Sequence, residues 1–114
     1  MITYDNKPIV QEANMDSVHS KATDCLFEAI LTLKTVDECY RFFEDVCTIK
    51  EIQDLSQRFE VARALEENKS YALISKETGA STATVCRVNK SLNYGSDGYK
   101  LVLNRLKGKK SDDI

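Results

Sequence analysis

The chain has 114 residues, 42% of them apolar, with 18 Asp/Glu against 16 Lys/Arg and a formal net charge of −2. This is apolar material for one compact domain with a modest core, and no apolar run approaches the ~20 residues that span a bilayer. Four cysteines with no Cys-x-x-Cys pair, and a single histidine, offer zinc little to bind, so no metal is expected and the thiols are expected to be reduced.

In chain order, residues 1–19 hold the only proline, Pro8, and no helical apolar stripe, and they read as a flexible N-terminal tail in which Met15 offers a second start. The stretch lacks a charged-then-apolar signal sequence, so a cytoplasmic location is expected. His19 has no nucleophile or acid constellation around it and is given no role. Leu26, Phe27, Ile30, Leu31 and Leu33 then recur at helical spacing and predict an amphipathic helix over about 21–34. Thr35-Val36-Asp37-Glu38 reads as a capping box, with Thr35 accepting from the Glu38 N–H and the Glu38 carboxylate reaching back to Thr35. The helix it opens, to about Val46, carries Val36, Cys39, Tyr40, Phe42, Phe43 and Val46, too many for one stripe, which predicts apolar contacts on two sides, one of them a second subunit. Cys39 and Cys47 are expected to pack as small hydrophobes.

Thr48-Ile49-Lys50-Glu51 repeats the capping box and launches a long helix bearing Ile52, Leu55, Phe59, Ala62 and Leu65, with Asn68 suited to a left-handed exit. Residues 70–92 form the most informative stretch. Two short helical patterns flank Gly79, each opened by a serine cap, Ser70 and Ser81, which is the arrangement of a helix-turn-helix. Leu73, Ile74, Ala80, Val85 and Val88 are expected to pack the two helices together, leaving Thr82, Ala83, Thr84, Cys86, Arg87 and Lys90 facing outward. Beyond Asn93-Tyr94-Gly95, a last helix over about 96–107 presents Tyr99, Leu101, Val102, Leu103 and Leu106, with 108–114 a flexible C-terminal tail. No strand signal appears, so the expected fold is all-α with about six helices, residues 20–107 forming the domain.

The small net charge hides a dipole. Met1 to Asn68 holds seven Lys/Arg against fourteen Asp/Glu, whereas Lys69 to Lys110 holds nine Lys/Arg against Glu77 and Asp97 alone. A positive segment coinciding with a helix-turn-helix attracts phosphates, so double-stranded DNA is the expected partner. Lys69, Ser70, Tyr71, Arg87, Lys90 and Asn93 are candidates for phosphate contacts, and Thr82, Ala83, Thr84 and Cys86 for groove contacts or packing on thymine methyls.

The order of helices, the cap at Thr48, Arg58 in the long helix, and Gly79-Ala80-x-x-Ala83-Thr84-x-x-Arg87 followed by Ser91-Leu92 resemble the tryptophan repressor, over roughly Leu26 to Leu106. The runs Cys47-Thr48-Ile49-Lys50-Glu51-Ile52-Gln53-Asp54-Leu55 and Leu92-Asn93-Tyr94-Gly95 look like the Trp repressor-like YerC/YecD branch. The resemblance implies an intertwined homodimer whose paired helix-turn-helix units enter successive major grooves of a palindromic operator. It also implies a tryptophan site in which Thr48, Arg58, Arg87 and Ser91 hold the amino acid. Against this, Val88 stands where the repressor has a glycine that makes room for the ligand, and its isopropyl group is expected to fill the slot. Tyr71, Ala72 and Ser75 likewise stand where the repressor carries longer polar or basic side chains, so its operator does not transfer.

The reading with most support is a sequence-specific, DNA-binding transcriptional regulator of the repressor type, working without tryptophan as corepressor or with another small-molecule effector. The alternative is a helix-turn-helix protein-interaction module with little DNA affinity, which weak salt dependence of binding would reveal. An enzyme is not expected, because no nucleophile-base pair, metal cluster or glycine-rich phosphate loop is present.

Overall fold

A computed structural model describes residues 17–112, so most of the tail expected over 1–19 lies outside the described residues. Six helices and no strand occur among the described residues: α1 (Lys21–Ile30), α2 (Val36–Val46), α3 (Ile49–Glu66), α4 (Tyr71–Thr78), α5 (Thr82–Tyr94) and α6 (Gly98–Asp112). Where length suggests a single domain, the chain forms two compact units that divide between Val46 and Cys47. The physical basis of that division is burial, since neither α1 nor α2 contains a buried residue.

In the first unit, Ser20 caps α1 by accepting the Thr23 N–H at 3.1 Å. The helix ends at Ile30, four residues short of the expected end at Lys34. There the Thr32 hydroxyl donates to the Ala29 carbonyl at 2.6 Å, and the Thr32 and Leu33 N–H groups turn back to Ala29 and Ile30. At α2 the Thr35 hydroxyl accepts from the Glu38 N–H as expected, but the Glu38 carboxylate accepts from the Lys34 N–H at 2.9 Å instead of returning to Thr35. Phe42 and Phe43 are half-buried and meet edge to face, with centroids 5.6 Å apart. Phe27, Leu31, Val36, Tyr40 and Val46 lie exposed on the single chain, and so does Cys39, which therefore does not pack as a small hydrophobe. Cys47 is half-buried.

The second unit holds the core. Val61, Ala62 and Ala64 from α3, Ile74 from α4, Ala80 from the turn, Val85 and Val88 from α5 and Leu103 from α6 pack together, with Phe59, Leu65 and Tyr99 against them. The three alanines let backbones approach closely, and each larger aliphatic withdrawn from water contributes about 1.5–3 kcal/mol before entropy is counted. Helix α3 is the axle of this unit, touching α4, α5 and α6. Its buried face runs through Val61 and Ala64, which the expected stripe omits, while Leu55 of that stripe stays exposed. Leu73 is exposed as well, correcting its assignment to the interhelical contact. Adjacent residues sit about 100° apart on a helix, so Leu73 and Ile74 cannot both point inward, and Ile74 does.

Both ends of α3 are closed by side-chain and backbone devices. Thr48 accepts the Glu51 N–H at 3.1 Å and Glu51 accepts the Thr48 N–H at 2.8 Å, a complete capping box. At the exit, Asn68 adopts φ 60°, the Asn68 N–H bonds the Leu65 carbonyl and the Lys69 N–H bonds that of Ala64, the pairing of a Schellman motif. Accepting the Thr48 N–H, with the Thr48 hydroxyl second, holds the Glu51 carboxyl below its ordinary range. Its contribution is therefore fully present above the unfolded value and is lost as pH falls through the lower folded value. Thr48→Ala is expected to lower stability by about 1 kcal/mol through the lost cap, whereas Glu51→Gln, which removes the titrating carboxylate, is expected to lower stability at neutral pH with a gap from wild type that narrows in acid. Urea denaturation across that range checks both parts.

Helix α6 runs on to Asp112, so residues 108–112, expected as tail from the end of the apolar pattern, are helical. The segment Lys107 to Lys110 contains three lysines, cations that favour the C-terminal end of a helix and offset the poor helix propensity of Gly108 among them.

Candidate nucleic-acid interface

Helices α4 and α5 meet across a three-residue turn, Gly79 to Ser81, that is closed by backbone and side-chain hydrogen bonds. Gly79 takes φ 75°, a conformation that only glycine adopts readily, and its N–H bonds the Ser75 carbonyl at 2.9 Å. The Thr78 hydroxyl donates to the Ile74 carbonyl at 2.7 Å and accepts the Ala80 N–H at 3.2 Å. Gln57 reaches across from α3, its Nε2 donating to the Thr78 carbonyl at 3.3 Å, which ties the turn to the core helix. Neither Gln57 nor Thr78 stands out in the sequence, where only Gly79 carries a turn signal. Ser70 and Ser81 cap their helices as expected, accepting from Leu73 and Thr84 at 3.2 and 3.1 Å.

Helix α5 is divided cleanly into two faces. Taking 3.6 residues per turn and Thr82 as origin, Val85, Val88 and Leu92 fall within about 60° of one another, and all three are buried. On the other side, Thr82, Cys86, Lys90, Ala83 and Arg87 span about 140° and are all exposed. No Asp or Glu occurs anywhere in α5. Thr84 lies on the flank, half-buried, its hydroxyl accepting from that of Ser81 at 3.1 Å. Asn93 is exposed, with Nδ2 bonded to the Asn89 carbonyl at 2.9 Å and to its Oδ1 at 3.0 Å.

The other candidates fall at the start of α4. Ser70 is spent as a cap and Tyr71 is exposed beside it. Lys69 is held by carboxylates, its Nζ lying 3.1 Å from Glu77 and 3.4 Å from Glu67. The hydrogen bond to Glu77, with the charge of that carboxylate, holds the ammonium above its ordinary range. A phosphate at Lys69 would have to compete with both glutamates.

The residues implied as a tryptophan site are divided between α3 and α5. Arg87 and Ser91 stand one turn apart, both exposed, on α5. Thr48 is the exposed cap of α3, and the half-buried Arg58 lies ten residues along that helix, about 15 Å away. A groove of about 460 Å³ does exist on α3, but Gln57, Glu60, Arg63, Lys69 and Glu77 line it, and none of those four. Val88 is 1% exposed and belongs to the core. No group of three or more His, Cys, Asp or Glu side chains suited to a metal occurs among the described residues, and no helix among them is long and apolar enough to cross a membrane.

A glycine-hinged helix pair, mounted on a core helix and with a second helix whose outer face is free of acids, is the architecture of helix-turn-helix DNA-binding regulators. Residues 21–107 match the family profile described as Trp repressor protein. The chain belongs to the Trp repressor family. Among its relatives, YerC of Bacillus subtilis (strain 168), an uncharacterized protein, is 56% identical over 93 residues, covering 82% of this chain and 89% of YerC. The crystal structure of a TrpR-like protein from Eubacterium eligens ATCC 27750 superposes with a TM-score of 0.76 at 61% identity, over 77% of this chain and 91% of that one. A candidate Trp repressor from Staphylococcus aureus gives 0.78 at 47% identity, over 83% and 95%. These matches bear out the all-α, Trp repressor-like fold expected from the sequence.

Proposed function

We propose that this chain is a homodimeric, sequence-specific DNA-binding transcriptional regulator of the repressor type whose reading head is held in place without tryptophan. The observation that carries the DNA-binding part is α5 itself, with Thr82, Ala83, Cys86, Arg87 and Lys90 exposed on one face and no carboxylate among its residues. In such a head the helix enters the major groove while flanking cations meet phosphates. Phosphate contacts fall to Arg87 and Lys90, with Lys69, Ser70, Tyr71 and Asn93 at the edges. Groove contacts fall to Thr82, Ala83, Thr84 and Cys86.

The dimer is supported by the apolar side chains that the first unit leaves exposed, Phe27, Leu31, Val36, Tyr40 and Val46, which a second copy would cover. Independence from tryptophan is supported by Val88, whose side chain lies inside the core with Val61, Ile74 and Val85. A side chain that already fills this space supplies the packing that a ligand would otherwise provide.

The test is selection of fragmented genomic DNA by the purified protein at physiological salt, with and without tryptophan. The expected result is a recurring palindrome enriched equally in both conditions. No enrichment in either condition would overturn the DNA-binding reading, and enrichment only with tryptophan would overturn the role given to Val88.

A further inference from the structure

With α5 as the reading head of the proposed function, on which this inference rests, the exposed face of the helix carries information about the bases it reads. A recognition helix meets base edges with its N-terminal residues. Those residues are Thr82 and Ala83, in the first turn, and Cys86, one turn on from Thr82, and all three are exposed. None is long enough for two-pronged recognition, which needs arginine or lysine on guanine and asparagine or glutamine on adenine. The neighbouring hydroxyls are engaged in capping, since Ser81 accepts the Thr84 N–H and donates to the Thr84 hydroxyl. The tip therefore presents the γ-methyl and hydroxyl of Thr82, the β-methyl of Ala83 and the thiol of Cys86, with no long polar side chain among them.

The cations stand elsewhere on the helix. Lys90 lies two turns beyond Thr82, and Arg87 lies about 100° round the helix from Cys86, on the flank it shares with Ser91. Asn89, the amide nearest the tip, is half-buried and its Oδ1 and carbonyl both accept from Asn93.

We infer that this recognition helix specifies its site through thymine 5-methyl groups, packed against Thr82, Ala83 and Cys86, and not through paired hydrogen bonds to purines. In the major groove the 5-methyl is the one apolar feature that separates thymine from cytosine, and a small, uncharged helix tip can come close enough to touch it.

The test uses the full-length protein and the duplex recovered by genomic selection, resynthesised with deoxyuridine for thymine at one position of each half-site at a time. Uracil pairs as thymine does and lacks only the methyl. Affinity is expected to fall about fourfold per contacted methyl, the loss of one buried methyl-sized group, at one or two adjacent positions in each half-site. 5-Methylcytosine in a cytosine-substituted duplex is expected to recover part of the loss, and the salt slope is expected to stay unchanged because no phosphate contact is altered.

Thr82→Ser, which removes the γ-methyl and keeps the hydroxyl, and Cys86→Ser identify the reader. For at least one of them the thymine-to-uracil affinity ratio is expected to approach one, with thermal unfolding unchanged at these exposed positions. The inference is overturned if uracil is tolerated at every position, and in particular if 7-deazaguanine instead weakens binding, which would assign the reading to Arg87 on guanine. It is also overturned if both serine variants and Ala83→Gly, checked for unchanged helicity, all keep the full ratio. A protein that retains no DNA at all overturns the proposed function itself, a result distinct from binding that ignores the methyl.

Discussion

Replacing Arg87 and Lys90 together by alanine is expected to abolish most DNA affinity while leaving the fold intact. Both side chains are exposed on α5, and alanine is the best helix former, so the helix itself loses nothing. Each phosphate partner withdrawn reduces the slope of log affinity against log salt by ~0.9. Withdrawing two cations from each half-site of a dimer therefore flattens that slope by about 3–4 units and lowers affinity roughly 100-fold or more near physiological salt. Fluorescence anisotropy across a salt series measures both quantities on one duplex. If the double variant keeps the wild-type slope, Arg87 and Lys90 do not face phosphate and the cations that meet the backbone lie elsewhere on the protein.

Val88→Gly carries the largest expected effect on stability. The isopropyl group is 1% exposed and packs with Val61, Ile74, Val85 and Leu103. Its removal costs the buried carbons and the cavity they leave, and glycine in a helix interior adds a further penalty, for a total of about 2–3 kcal/mol. That is a large share of the stability of so small a core. Val88→Ala separates the two contributions, keeping the helix and losing most of the packing. Urea denaturation of the three proteins gives the differences, and tryptophan added to the wild type is expected to leave its midpoint unmoved. A midpoint that rises with tryptophan would mean that the amino acid binds the folded state despite Val88.

The caps at Thr48, Ser70 and Ser81, the left-handed Asn68 and the hinge at Gly79 are local devices, each a matter of one side chain and its next few backbone groups. Local chemistry of that kind is written in short stretches of sequence, and all five appear in the structure as the spacing predicts. The same holds for Val85 and Val88 on α5, expected inward from their helical spacing and buried in the structure. Other positions depend on which neighbour a residue finds. Lys69 is basic and stands before a helix start, yet Glu77, eight residues away, is brought to 3.1 Å only by the fold of α4. Asn93 resembles a phosphate donor in sequence and spends its amide on Asn89.

Periodicity also leaves the choice of face open wherever apolar residues outnumber one stripe. On α3, Ile52, Leu55, Phe59 and Ala62 describe one line and Val61 and Ala64 another, and the packing of α4, α5 and α6 buries Ala62 of the first together with both residues of the second while leaving Leu55 exposed. On α2, Val36, Tyr40 and Val46 are apolar in the sequence but exposed on the single chain, because burial is a property of the whole assembly of surfaces and not of a residue. The sequence alone thus determined the helices, their caps, the glycine hinge and the outward face of α5, since these follow from backbone hydrogen bonding and the 3.6-residue period. Tertiary structure decided which apolar residues of α3 enter the core and which cations remain available to a ligand, because each depends on groups distant in the chain arriving at the same place.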